Sequence, residues 1–137
     1  MGEDDLKGWQ LLTDRLGERV QLVGDDSLVT DATLIREAVV NRQGNAALIK
    51  PNQVGTVSET IEAVASCYSG GFGVMISHRS GETNDAFIAD FAVAVGAGQI
   101  KAGAPARGER VAKYNRLLAI EAEEGSLVPF GRSGRHL

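Results

Sequence analysis

The chain has 137 residues, 43% of them hydrophobic and 23% charged, and carries a formal net charge of −4. A domain of this size buries roughly 68–70% of its unfolded surface. The negative charge excludes a general attraction to nucleic acid or an anionic membrane, so any anion has to be held by a local cluster of donors. No apolar run approaches the roughly 20 residues of a transmembrane helix. The acidic start Met1-Gly2-Glu3-Asp4-Asp5 lacks a signal-peptide pattern, and the single Cys67 has no internal disulfide partner, so a cytoplasmic location is expected.

Taken in order, residues 4–17 read as a helix carrying Trp9, Leu11, Leu12 and Leu16, closed by Gly17. A strand over 20–24 follows, then a helix over 31–43 with Leu34, Ile35, Ala38 and Val39 on one side and Asp31 or Thr30 as N-cap. Ala46 to Ile49 form a second apolar strand. Thr56-x-x-Glu59 has capping-box spacing, and Ile61, Val64, Ala65 and Tyr68 recur at helical spacing before Gly70-Gly71 stops the helix.

A third strand, 73–77, leads through a loop to a helix over 84–96 that has little polar face, so burial or a covering partner is expected there. A fourth strand over 99–102 precedes a last helix over 107–124, in which Val111, Tyr114, Leu118 and Glu121 track one side. Residues 126–137 are expected to be a loosely ordered tail.

This alternation describes an α/β fold: about four parallel strands and five helices, arranged as half of a TIM-type barrel over residues 1–125. A complete barrel takes eight strands and about 250 residues. Half of one leaves two open strand edges.

Polar clusters stand where the strands end: Asp25-Asp26, Lys50, Ser77-His78-Arg79-Ser80 and Lys101. The steps from Asp25 to Lys50, His78 and Lys101 are 25, 28 and 23 residues. Barrels collect their chemistry at the carboxyl ends of successive strands. Asp25-Asp26 reads either as a turn or N-cap pair or as a hard oxygen ligand for Mg²⁺. Lys50 reads either as a solvated edge charge or as a base. A base must give up its proton near neutrality, and a second cation close by, such as Lys101, favours that.

Ser77-His78-Arg79-Ser80-Gly81-Glu82-Thr83 gathers an imidazole, a guanidinium and hydroxyls just ahead of a helix; a single histidine reads as structural, and this density of phosphate-type donors reads as anion binding. Gly96-Ala97-Gly98 precedes a strand, the wrong order for a dinucleotide fingerprint. Cys67 reads as a small core residue and His136 as solvated, and no zinc-ligand spacing is present.

Four segments together carry a resemblance: Leu22-Val23-Gly24-Asp25-Asp26, Leu48 to Thr56, Ser77 to Thr83, and Gln99 to Pro105. In order and spacing they resemble the carboxyl-terminal part of enolase, and the likeness continues through Arg110-Val111-Ala112-Lys113-Tyr114-Asn115 to Glu121. The resemblance implies a lyase of glycolysis that dehydrates 2-phosphoglycerate to phosphoenolpyruvate with Mg²⁺. It further implies Asp25 as a metal ligand and Lys50 as the base that takes the C2 proton. Arg79 and Ser80 would hold the phosphate, Ser77 and His78 line the substrate site, and Lys101 bind the substrate carboxylate.

The departures carry equal weight. Family members are roughly three times as long. Two further metal carboxylates and the glutamate that protonates the leaving hydroxyl have no counterpart here. Ala102 stands where a threonine is usual, and Asn84 where an acidic residue is common. The expected reading is the last four β/α units, from a truncated or split gene or a fragment. Alone it should be catalytically incomplete, needing the missing amino-terminal half or oligomerisation. The alternative is a non-catalytic remnant or a surface-binding protein with a secondary place on the cell surface.

Overall fold

The structure, a computed structural model, describes residues 2–125; the tail expected over 126–137 lies outside them. Four strands alternate with helices in the order α1 (Leu6–Leu16), β1 (Val23–Gly24), α2 (Ala32–Val40), β2 (Ala46–Ile49), α3 (Pro51–Val54), α4 (Val57–Ser69), β3 (Gly73–Ser77), α5 (Phe87–Ala94), β4 (Gln99–Lys101) and α6 (Gly108–Glu124). The strands pair in chain order β1-β2-β3-β4, all parallel. Among the described residues β1 and β4 are therefore open edges, and the sheet is part of a barrel wall.

The register fixes which way each residue points. Ala46 lies beside Gly73, and Ile49 beside Ile76, while Ser77 lies beside Lys101. Side chains alternate along a strand. Ala47, Ile49, Val74, Ile76 and Ile100 face outward and pack under Ile35 and Ala38 of α2, Ala63, Val64 and Cys67 of α4, and Phe91 and Ala92 of α5. Burial pushes the Cys67 thiol up to about 12 despite a backbone hydrogen bond, so it is an inert core group, as its sequence context implied. Leu48, Lys50, Met75, Ser77, Gln99 and Lys101 occupy the opposite, inner face. Across that face the Gln21 amide donates to Gln99 Oε1 at 2.8 Å, linking the approach to β1 with β4.

Several sequence expectations need correction. Among the described residues the five expected helices are joined by a sixth, because Pro51 starts the four-residue α3, which Gly55 ends in the left-handed region at φ 94°. Its single turn is too short to show a period. β1 keeps only two of the five residues expected. The Asn45 side chain takes the missing ladder's place: it accepts from Leu22 N and donates to the Gly17 and Val20 carbonyls.

The α4 face is turned by one position. Thr60, Ala63, Val64 and Cys67 are buried, whereas Ile61 is 49% exposed. Thr56 does cap α4, accepting from Glu59 N, and Asp31 caps α2 through Thr33 N and Leu34 N. Helix α5 starts three residues late, since Thr83 and Asp85 bind the backbone of their own loop instead.

Candidate active site

Each strand end delivers its polar residue to the same rim of the sheet. At β1, Gly24 permits a close turn; an added Cβ there would stand 2.6 Å from Leu28 Cδ1. Asp25 follows immediately. Its carboxylate is ion-paired with the Lys50 ammonium, and Asp26 lies 4.0 Å from the same nitrogen. Lys50 is held at the end of β2, 9% exposed, with these carboxylates as its charge partners. The Lys50 backbone N–H donates to Thr30 Oγ1 at 2.9 Å, and the Thr30 hydroxyl donates to Gln53 Oε1 at 2.7 Å.

Thr30 is wholly buried and, with Val29, adopts positive φ (60° and 40°). Two β-branched residues in that region are rare, and each costs on the order of 1–3 kcal/mol. Sequence reading gave Thr30 only a capping role. Its tie to Lys50 spans 20 residues and leaves no local signal.

At β3, Ser77 is 1% exposed and its hydroxyl donates to the His78 carbonyl. His78 binds the Lys101 carbonyl twice, through its backbone N–H at 2.9 Å and through Nδ1 at 2.8 Å. A carbonyl only accepts, so Nδ1 carries the proton and a neutral ring leaves Nε2 as the free acceptor. Burial holds the His78 imidazole below its ordinary value; the Lys101 carbonyl opposes this and Arg110 adds to it.

Arg79 and Ser80 are exposed, and Arg79 reaches back to Asn52 Oδ1 at 3.0 Å. Lys101, at the tip of β4, is exposed on the same side. The sequence-derived residues are thus gathered along one rim. Lys50's charge partners are the two aspartates.

The donor set for a divalent cation is partial. Mg²⁺ takes one or two carboxylates, with substrate oxygens and water completing its octahedron, and Asp25 and Asp26 meet that minimum. Among the described residues no group of three His, Cys, Asp or Glu gathers. The residues fit one corner of a hard-cation site.

Residues 1–136 match the family described as enolase, C-terminal TIM barrel domain. The chain belongs to the enolase family. An enolase of Nitratiruptor sp. is 58% identical over 123 residues, which is 90% of this chain and 29% of that protein. The enolase of Wolinella succinogenes is 55% identical over 133 residues, 97% of this chain and 32% of the relative. Enolase 1 of Methylococcus capsulatus is 54% identical over 132 residues, covering 96% and 31%. The chain therefore spans about three tenths of the length of these enolases.

Proposed function

We propose that this chain supplies the base and anion-contacting side of an enolase active site, acting in dehydration of 2-phosphoglycerate to phosphoenolpyruvate. The observation that carries the reading is the placement of Asp25, Lys50, His78 and Lys101 at the carboxyl tips of four adjacent parallel strands, with Lys50 largely buried. Family membership and the enolase names of the relatives support it.

In this scheme Arg79 and Ser80 take the phosphate and Lys101 takes the carboxylate. His78 lines the site with Nε2, and Ser77, its hydrogen already given to the His78 carbonyl, shapes the floor. Lys50 in its neutral form accepts the C2 proton. A proton beside a carboxylate is weakly acidic because the carboxylate acquires a second negative charge as it leaves, and preplaced cations such as Lys101 offset that charge. Hydroxide then departs from C3 with a proton from a group outside this chain, leaving water and the enol phosphate.

Bound Mg²⁺, with Asp25 as a ligand, would add positive charge at the substrate carboxylate. Ammonium and metal ion are alternatives at the Asp25 oxygen that Lys50 now occupies.

Completion of the site calls for a second piece of barrel, and the order of elements favours one kind. Five long helices flank four strands, since α1 precedes β1 and α6 follows β4. A closed barrel alternates one helix with each strand. A second copy of this chain would place α6 and the partner's α1 together at each β4–β1 seam. A segment of four strands and three helices fits without redundancy.

The test follows phosphoenolpyruvate absorbance with 2-phosphoglycerate and Mg²⁺. The lone chain should show no normal turnover, and adding such an amino-terminal enolase segment should restore it. Lys50→Ala should then lower the restored rate by about 10²–10⁴, the usual contribution of a general base. Robust turnover by the lone chain, or restored activity indifferent to Lys50, would overturn the proposal.

A further inference from the structure

The anion-contacting loop between β3 and α5 has no regular secondary structure from His78 to Ala86, yet it must present Arg79 and Ser80 at defined positions. What holds it comes from the first two turns of α6. Arg110 donates from Nη1 to the Arg79 carbonyl and from Nη2 to the Ser80 carbonyl, both at 2.8 Å. Lys113 is 1% exposed. Its ammonium bonds Glu82 Oε2 at 2.6 Å, the Thr83 carbonyl at 2.7 Å and the Glu109 carbonyl at 2.8 Å. An ammonium has three hydrogens, and all three are used.

Glu82 completes the circuit, its other oxygen accepting from Arg79 N–H at 2.7 Å. Burial pushes the Glu82 carboxyl up, but the Arg79 N–H and the Lys113 ammonium outweigh it and hold the group below its usual range. The same helix reaches the neighbouring loop, where Tyr114 OH donates to the Gly103 carbonyl. Gly103, at φ 83°, makes room: a Cβ there would stand 3.0 Å from Arg110 Cδ and 3.3 Å from His78 Nε2.

We infer that Arg110 and Lys113, the latter acting through Glu82, are positioning residues for the anion pocket. They clamp the loop by its carbonyls and one N–H, so neither the Arg79 guanidinium, which reaches Asn52 Oδ1, nor the Ser80 hydroxyl is used by the clamp. A buried lysine with a full set of partners is otherwise an expensive way to join a helix to a loop. The inference rests on reading Arg79 and Ser80 as anion contacts.

The test uses the full 137-residue chain with inorganic phosphate as probe, followed by NMR titration and amide hydrogen exchange. Lys113→Met should weaken phosphate binding at least tenfold. Exchange at the Arg79 amide should rise at least tenfold, while the Ile49 and Ile76 amides in the sheet keep wild-type rates. Arg110→Gln should weaken binding in the same way, and Arg110→Lys should recover part of the loss.

Unchanged Arg79 exchange in both Lys113→Met and Arg110→Gln would overturn the inference. So would a rise shared equally by loop and sheet, which would make these residues supports of the fold as a whole. If the wild-type chain binds no phosphate, the anion-contact reading fails, and Arg79 exchange in the variants still decides whether the clamp exists.

Discussion

The two ends of α6 are built on opposite terms. At its start Arg110, Lys113 and Tyr114 have found partners in two loops, and Lys113 is as buried as a core isoleucine. Toward its end Leu118 is 62% exposed. There Leu117, Leu118 and Ile120 line an open apolar cleft of about 660 Å³ with Ala97 and Ile100, beside the edge of β4 that no described strand pairs. Among the described residues the polar end is complete and the apolar end is not. Finishing the rim of a barrel takes local loops and one helix, whereas finishing its wall takes further strands.

Lys113→Ala should break the finished end most severely. It strands the Glu82 carboxylate and two carbonyls, and breaking a buried pair costs about 3–5 kcal/mol. Urea denaturation of the variant should register that loss. If it cost no more than a surface substitution, the polar end would be no better built than the apolar one. Gly103→Ala is the next largest, at roughly 1–3 kcal/mol, because it forces a side chain into positive φ against Arg110 and His78. The same measurement, with the His78 ring resonances as a local report, checks it.

Acid should loosen the finished end first. His78 has a folded value below 6.5, so its contribution is present above that pH and is lost as pH falls through the lower folded value. Glu82 has a folded value below 4.5, so its contribution is present above 4.5 and is lost on further acidification. Loop amides should therefore exchange faster in two acidic stages, with sheet amides lagging; loop and sheet loosening together would remove the contrast. The smallest effect belongs to the cleft. Leu118→Gln should change the stability of the lone chain by less than about 0.5 kcal/mol, while reducing activity restored by a barrel segment that docks there.

Much of the architecture was legible because it is local. The apolar runs Ala46 to Ile49 and Val74 to Ile76, and the polar residue after each, depend on neighbours within a few positions. Asp31 and Thr56 cap their helices as their spacing implies. Helix faces were less legible. In α4 the face was misjudged by one position, since Thr60 and Cys67 are buried and look no more apolar than Ile61 or Ala65.

The site divides the same way. Asp25, Lys50, His78 and Lys101 were visible as strand-end residues, whereas Thr30, Arg110 and Lys113 were not singled out for what they do. A lysine within a charged helix pattern looks solvent-facing. Its burial follows from Glu82, 31 positions earlier, being delivered by a different β/α unit.

Strand and helix order, the polar strand tips and family membership are thus properties of the amino-acid string, because hydrophobic periodicity and turn chemistry act over a few residues. Only the tertiary structure decided that Lys50 pairs with Asp25 and that α6 grips the anion loop. Those outcomes depend on parallel pairing between segments 23 to 27 residues apart, whose register sets which charges meet.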